Sequence, residues 1–433
     1  MEGADHDRRK SGFKVRTRVE DARSILETAL EDRTVSCEHE RVPLERADGR
    51  VLAESITAEV NVPHYERAAM DGYGVRAADT FGATERSPAV LRLEDEADAD
   101  TSVEPETARR VHTGSALPEG ADAVVMLEHT ESLESVGELE VLDGVAVGEN
   151  VAPVGEDVKA GQHLYGPGHR LRPSDLGLLR SAGVRTPLVA CRPTVGVIPT
   201  GEEVVQADPA PGEVIETNGL TVSRLVERWG GRSTHREVVT DDPEALRVAI
   251  ERDLTKDVVV TTGGSSVGQR DLLPEVIDDL GEVLVHGVAL KPGHPVCLGI
   301  VEETPVLALP GYPVACIINA VQFLRPVLSW VQGTVPTPHP TVEARLERKI
   351  PSEPGTRTFA RVSLESVSED SESDGSNSGG STEGEVVAVP TRASGSGVLS
   401  SVALADGWVV VPESSEGIPA GEVVTVECWE PSW

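Results

Sequence analysis

Residues 257–271 read DVVVTTGGSSVGQRD, and their reading decides the fold. Residues 258–262 are apolar or β-branched throughout, which predicts a short strand buried on both faces. The strand runs into Gly263, Gly264, Ser265, Ser266, Val267 and Gly268. Glycines let backbone N–H groups come close to an anion, and serine hydroxyls add donors. Asp271 follows, a carboxylate suited to a divalent cation bridging phosphates. The string is not a Walker A loop, because no Gly-Lys-Ser/Thr follows, and it is not GxGxxG. A ligand-free strand-to-helix turn carries the same glycine pair, so the string alone leaves both readings open.

Strands alternate with helices on either side. The pattern predicts strands at 194–198, 236–239, 258–262, 283–290 and 306–309. It predicts helices at 220–229, 242–253, 272–280 and 313–331, with Asp241 or Asp242 capping the second. That alternation implies a doubly wound, mostly parallel sheet with ligands at its carboxyl edge. Pro310, Gly311, Pro313, Asn319 and Arg325 interrupt the apolar run 306–331, so it reads as strand, turn and core helix, not as a membrane span. Upstream, 19–32 has Ala22, Ile25, Leu26 and Leu30 at helical spacing, and 75–150 reads as small β structure. Beyond Pro336 helix signals vanish, and runs such as WVVVP and EVVTVECW suggest a small β domain. Residues 366–384 are low complexity and bury little. The chain reads as an α/β multidomain protein.

Composition narrows the function classes. The 433 residues carry 39 Lys+Arg and 73 Asp+Glu, a net charge of −34. A nucleic-acid duplex or an anionic membrane would be repelled over most of such a surface. Lysine is scarce beside arginine, which with the acidic surface suggests a halophilic protein from a cytosol of molar salt, where the Debye length is about 3 Å. Five scattered cysteines without CxxC fit a reducing cytosol and no disulfide framework or zinc site. The N-terminus is polar and lacks a signal peptide's apolar core.

Four more strings carry chemistry-bearing residues. In GVIPTGEE (196–203), Thr200 and Gly201 could cradle a phosphate. Glu202 and Glu203 make sense beside it only with a cation between. In VALKPGHP (288–295), Lys291 is a scarce point charge before a Pro292-Gly293 turn, with His294 as a neighbouring donor. ALPGYPVA (308–315) makes a stiff loop, with Pro310, Gly311 and Pro313 opening a helix whose N-terminus favours anions. VPHYERAAMDGYGV (62–75) places Asp71 before Gly72 on a tight turn. Each is also readable as an ordinary turn.

Together these strings resemble the MoeA family of molybdopterin molybdenumtransferases, related to the E domains of gephyrin and of plant Cnx proteins. The resemblance spans roughly residues 15–430 and includes RRVHTGSALPEGADAVV (109–125) and ENVAPVGEDV (149–158). It implies a domain I from 15–60 and 150–190, a β-rich domain II at 61–149, a MogA/MoaB-like α/β domain III at 191–334, and a small β-barrel domain IV at 335–433. It implies insertion of molybdate, or tungstate, into adenylylated molybdopterin with release of AMP, assisted by Mg²⁺, in a cytoplasmic homodimer. It implies no nucleic-acid or membrane partner. The molybdopterin adenylyltransferase and apo-molybdoenzymes are its implied neighbours.

By the same resemblance Asp71, Glu203, Asp241, Asp271 and Lys291 are catalytic, with Glu203, Asp241 and Asp271 on the metal. Thr113, Thr200, Gly201, Gly263, Gly264, Ser266, Gly268, Pro292, Gly293, His294, Pro310, Gly311, Pro313, Arg361 and Ser396 would contact substrate. Asp157 matches a further acidic position. This chain departs from the family at Glu202, Ser265, His294 and Tyr312, and the third would make anion charge depend on pH near about 6.5. An adenylyltransferase and a non-enzymatic scaffold are the competing readings.

Overall fold

The computed structural model describes residues 16–33, 35–94, 102–133, 135–263, 272–367, 385–392 and 395–430. Two units emerge, one from Arg41–Asp48 and Glu54–Val189, the other from the rest of the chain. The chain enters through helix α1 (Val19–Asp32), which belongs to the second unit. Val19, Ala22, Leu26, Ala29 and Leu30 form its buried face, whereas Ile25 is 41% exposed. Ala22, Leu26 and Leu30 lie on the buried face as the spacing predicts, and only Ile25 falls outside it, at the edge of the stripe.

The first unit is built on six strands: β1 (Gly72–Val75), β2 (Ala89–Leu93), β3 (Thr107–Val111), β4 (Ala123–Met126), β5 (Thr130–Leu133) and β6 (Glu138–Val141). Their order is β4-β1-β3-β2-β6-β5, with β2 and β3 parallel. Tyr73, Val75, Leu91, Val125, Leu139 and Val141 fill one core. Gly72 does not sit on the tight turn expected of it. It opens β1, and a Cβ there would lie 2.0 Å from the Val125 carbonyl oxygen, so close strand approach requires the glycine. Helix α2 (Pro173–Ser181) follows, its first turn secured by the carboxylate of Asp175.

In the second unit come β7 (Thr194–Pro199), α3 (Asn218–Arg228), β8 (Arg232–His235), α4 (Pro243–Asp253), β9 (Val258–Thr262), α5 (Leu272–Leu280), β10 (Glu282–His286), β11 (Leu290–Lys291), β12 (Cys297–Val301) and β13 (Thr304–Leu309). Helices α6 (Pro313–Asn319) and α7 (Arg325–Val331) are joined by a π turn at Ala320–Leu324. The sheet order is β8-β7-β9-β13-β12-β10; the first four strands are parallel, and β12 runs antiparallel to both its neighbours, β13 and β10. All side chains of β9 are buried, as its composition requires. One core holds residues of α1, α3, α6 and α7, and a second holds residues of α4 and α5.

Two expectations need correction, and the choice between two candidate helix caps is settled. The strand expected at 236–239 lies at Arg232–His235, because the polar β8 is an edge strand and Arg236 turns away to pair with Asp253. The strand expected at 283–290 stops at His286. Gly287 has φ +87°, and β11 then joins a different sheet. Asp242, not Asp241, caps α4, accepting from the Ala245 N–H at 2.9 Å. The run Pro313–Val331 is long and apolar enough to cross a membrane, but 89% of its most apolar window is buried in the protein.

The C-terminal β region has β14 (Thr341–Leu346), β15 (Arg357–Val367), β16 (Glu385–Arg392), β17 (Gly407–Val411) and β18 (Val423–Glu427). Pairings β15–β16–β14–β18–β17 close back onto β15, giving a five-stranded barrel, with β11 parallel to β15 outside it. All five cysteines are free, and Cys37, Cys297 and Cys316 are buried.

Candidate functional site

Strand order reverses direction between β7 and β9: the chain goes from β7 outward to β8, then crosses to β9. Crevices at such a switch point, beyond the strand carboxyl ends, are where open α/β sheets bind ligands. Thr200 and Gly263 occupy those ends here. Gly263 has φ +126°, and a Cβ on it would lie 2.2 Å from the Thr200 carbonyl oxygen. Its N–H donates to Leu309 O at 3.0 Å, and a Cβ on Gly311 would lie 3.4 Å from Gly263 Cα. Asn218, at the start of α3, donates from Nδ2 to Gly311 O at 2.7 Å. Thr200, Gly201, Asn218, Gly263 and Gly311 thus converge on one crevice. Gly264, Ser266, Gly268 and Asp271 lie outside the described residues.

Several polar groups at this edge are unmet. The hydroxyls of Thr200, Thr261 and Thr262 are buried without a hydrogen-bond partner among the described residues. Oδ1 of Asp241 is buried and likewise has no partner among the described residues. Gly201 N–H donates to Val239 O at 3.1 Å, which brings the segment leading to Asp241 beside Glu203. Burial, then the charges of Glu203 and Glu202, push the Asp241 carboxyl above its ordinary range. Glu203 and Asp241 are two hard-oxygen donors that repel one another, a set that suits Mg²⁺. Among the described residues no three His, Cys, Asp or Glu form a metal-ligating group. Any third carboxylate must come from elsewhere, and Asp271 is the one the sequence suggests.

A second cluster surrounds the start of α6. Tyr312 is its N-cap and Pro313 its first residue; Pro310 and Gly311 precede them. The Val314 N–H donates to Ser396 O at 3.0 Å, seating a barrel loop on the helix start. Arg361 is wholly buried, its Nε has no partner among the described residues, and burial lowers its pKa. Its other nitrogens reach Phe359 O, Gly395 O and Ser401 Oγ only at 3.4–3.5 Å. No carboxylate among the described residues pairs with it.

Lys291 departs from expectation. Its Nζ meets Glu353 Oε1 at 2.9 Å, so an anion there would have to displace an exposed ion pair. Gly293 has φ +115° and its carbonyl accepts from the buried Asn319 Nδ2 at 2.9 Å, tying the Pro292-Gly293 turn to α6. Burial and then Arg16 lower the pKa of His294, so its charge is lost at lower pH than the unperturbed value suggested.

In the first unit Asp71 and Thr113 meet each other. The Thr113 N–H and hydroxyl donate to Asp71 Oδ1 at 2.7 and 2.9 Å. These bonds, backbone first, hold the exposed Asp71 carboxyl below its ordinary range, with lesser help from His112 and Arg110. The Asp157 N–H donates to Val62 O at 3.0 Å. Residues missed by sequence reasoning are Thr261, Thr262, Asn319 and Glu353. The threonine pair before Gly263 was a visible signal; the other two act over long sequence separations.

A cavity of about 630 Å³ lies elsewhere in the second unit, lined by Arg23, Gln322, Arg325, His339 and Arg357 among others. Burial, Arg325 and Arg23 lower the pKa of His339 to about 4. These groups are largely matched with one another, as by Arg325 Nη1 and His339 Nε2 at 2.9 Å, so this cavity lacks the unmet polar atoms of the switch-point crevice.

Comparison with known proteins agrees along the chain. Residues 17–183 match the MoeA N-terminal region (domain I and II), 196–330 the "Probable molybdopterin binding domain", and 343–429 the MoeA C-terminal region (domain IV). A molybdopterin biosynthesis protein of Methanocaldococcus jannaschii is 35% identical over 397 residues, covering 89% of this chain and 91% of the relative. The molybdopterin molybdenumtransferase of Bacillus subtilis is 31% identical, covering 90% and 89%. The crystal structure of a molybdopterin biosynthesis MoeA protein from Pyrococcus horikoshii superposes with a TM-score of 0.74 at 34% identity, covering 94% of this chain and 99% of that one. The multidomain architecture, the α/β domain and the barrel are shared over nearly the whole length, and the chain belongs to the MoeA family.

Proposed function

We propose that this chain is a molybdopterin molybdenumtransferase of molybdenum cofactor biosynthesis. It takes adenylylated molybdopterin and molybdate, or tungstate, and releases AMP. The observation that carries the reading is a set of buried polar atoms at the switch-point end of the sheet, the hydroxyls of Thr200, Thr261 and Thr262 and Oδ1 of Asp241, none with a hydrogen-bond partner among the described residues. A core that left so many groups unsatisfied for no ligand would lose stability at each of them.

Gly263, with Gly264, Ser266 and Gly268, would cradle the substrate phosphates, and Thr200 and Gly201 would close the other side. Glu203 and Asp241, with Asp271, would hold Mg²⁺; when bound, the ion neutralises phosphate oxygens and stabilises charge developing on them. Arg361, lacking a counter-ion, and the helix start near Ser396, Pro310 and Pro313 favour an oxyanion such as molybdate. Lys291 would swing from Glu353 to add a point charge, while Pro292, Gly293 and His294 shape that rim. In the first unit Asp71, held below its ordinary range by Thr113, is a further candidate catalytic carboxylate. The four-domain boundaries 15–60 with 150–190, 61–149, 191–334 and 335–433, a homodimer, a cytoplasmic location and a need for molar salt complete the proposal. The free thiols and acidic surface support its last two parts.

The test is mass spectrometry of AMP released from adenylylated molybdopterin at high salt, with Mg²⁺ present and molybdate and tungstate in competition. Metal-dependent release is the expected result. Net AMP transfer from ATP to molybdopterin would instead favour the adenylyltransferase reading.

A further inference from the structure

The loop between β13 and α6 presents an aromatic ring at the crevice. Tyr312 is 63% exposed, and its hydroxyl makes no hydrogen bond among the described residues. The ring's position is nevertheless defined. Gly311, just before it, lies against Gly263; Pro313, just after it, opens the helix. One flank of the ring rests on Gly397, where a Cβ would lie 3.4 Å from Cδ1 and 3.7 Å from Cε1. The Val314 bond to Ser396 O pins that barrel segment in place. Prolines at 310 and 313 stiffen the loop, so little ordering entropy is lost when a ligand meets the ring.

We infer that Tyr312 is a substrate-binding residue whose ring stacks on a planar nitrogen heterocycle of the bound substrate. The inference rests on the function proposed above, which anchors phosphate beside Gly263 next to the residue preceding Tyr312. Because Gly311 lies against Gly263, a heterocycle attached to a phosphate there comes within reach of the Tyr312 ring. A tyrosine face stacks on any such ring, because it needs no hydrogen-bond match. Adenylylated molybdopterin contains two candidates, the pterin and the adenine.

The experiment uses the full chain at molar salt, with Tyr312→Phe and Tyr312→Ala. For AMP release, KM should rise about tenfold in Tyr312→Ala and change less than about twofold in Tyr312→Phe, with kcat nearly constant in both. Equilibrium dialysis with molybdopterin and with AMP as separate probes should show the loss for one probe, which names the stacked ring. Equal losses in Tyr312→Phe and Tyr312→Ala would overturn stacking in favour of the hydroxyl. Unchanged KM and unchanged affinity for both probes would overturn it outright. So would unchanged probe affinity with a sedimentation change in Tyr312→Ala, which makes the ring a contact between copies. If the wild type bound a probe but released no AMP, the functional reading would fall. Stacking would then stand or fall on whether probe affinity drops in Tyr312→Ala and survives in Tyr312→Phe.

Discussion

Two aspartates of the α/β domain show opposite treatment of charge. Asp253, at the end of α4, is fully buried, and Arg236 grips it with Nε at 3.0 Å and with Nη2. Gly196 makes room for it; a Cβ there would lie 2.9 Å from Asp253 Cβ. Asp241 has an oxygen without a partner among the described residues and two neighbouring glutamates. Two arginines repeat the contrast. Arg50 bonds Glu40 and the Ala190 carbonyl, both at 2.7 Å, while Arg361 has no carboxylate among the described residues. Asp253 and Arg50 are matched within the fold, whereas Asp241 and Arg361 are not matched by the described residues; under the function proposed above, a ligand supplies the missing partners, at some cost in stability to the free protein.

That contrast breaks most visibly at Arg236. Arg236→Ala leaves Asp253 buried, with only Arg252 at 3.7 Å to compensate. We expect a loss of about 3 kcal/mol in urea unfolding at fixed salt, at the low end for a broken buried pair because Arg252 remains. A loss under about 1 kcal/mol would mean that the matched pair does not differ from the unmatched groups.

Asp241→Asn should do the reverse. Stability should rise slightly, because a carboxylate repelled by Glu203 and Glu202 is removed. Mg²⁺-dependent AMP release should fall about a hundredfold. Chelation of Mg²⁺ should abolish the activity difference between the two proteins. A variant that was both less stable and fully active would show that Asp241 belongs with Asp253.

Arg361→Leu probes the cationic half. Exchanging a buried, uncompensated guanidinium for an apolar side chain should change stability by less than about 1 kcal/mol, in contrast to Arg236→Ala. Molybdate affinity, measured by dialysis, should nevertheless fall about tenfold.

What the sequence disclosed follows the same division. The alternation around 257–271 was enough for a doubly wound sheet, because buried strands and amphipathic helices leave local patterns. The barrel was legible from short alternating runs, although not its closure of β17 onto β15, which joins residues some fifty positions apart. Edge strand β8 was misplaced because Arg232–His235 carries no apolar pattern, while Val238 and Val239 do. Of the candidate site, Thr200, Gly201, Gly263 and Gly311 could be found because glycine marks close backbone approach. Glu353 could not, since nothing local says that an exposed carboxylate will meet Lys291 from 62 residues away. Asn319 was hidden too: inside an apolar helix it reads as an interruption, yet its amide holds the Gly293 turn.

The smallest expected effect lies in pH dependence, and it has opposite signs at two aspartates. Burial alone would raise the pKa of Asp175, but hydrogen bonds from Arg172, His169 and Tyr165 outweigh it and hold the carboxyl well below its ordinary range. A folded-state pKa below the unfolded value means that this group's stabilisation is present above the unfolded pKa of about 3.8 and is lost as pH falls toward the folded one. For Asp241 burial, Glu203 and Glu202 raise the pKa instead, so ionisation penalises the fold at neutral pH, and the penalty lifts as pH falls through the raised value. In thermal melts without Mg²⁺, Asp175→Asn should therefore lie below wild type at pH 7 and converge with it in strong acid. Asp241→Asn should lie slightly above wild type at pH 7 and converge already near the ordinary carboxylate range. Mg²⁺ should erase the Asp241→Asn advantage at pH 7, because wild type alone would gain the bound ion, and should leave the Asp175→Asn deficit untouched. Parallel pH profiles for the two variants would remove the distinction between a carboxylate matched by the fold and one kept for a ligand.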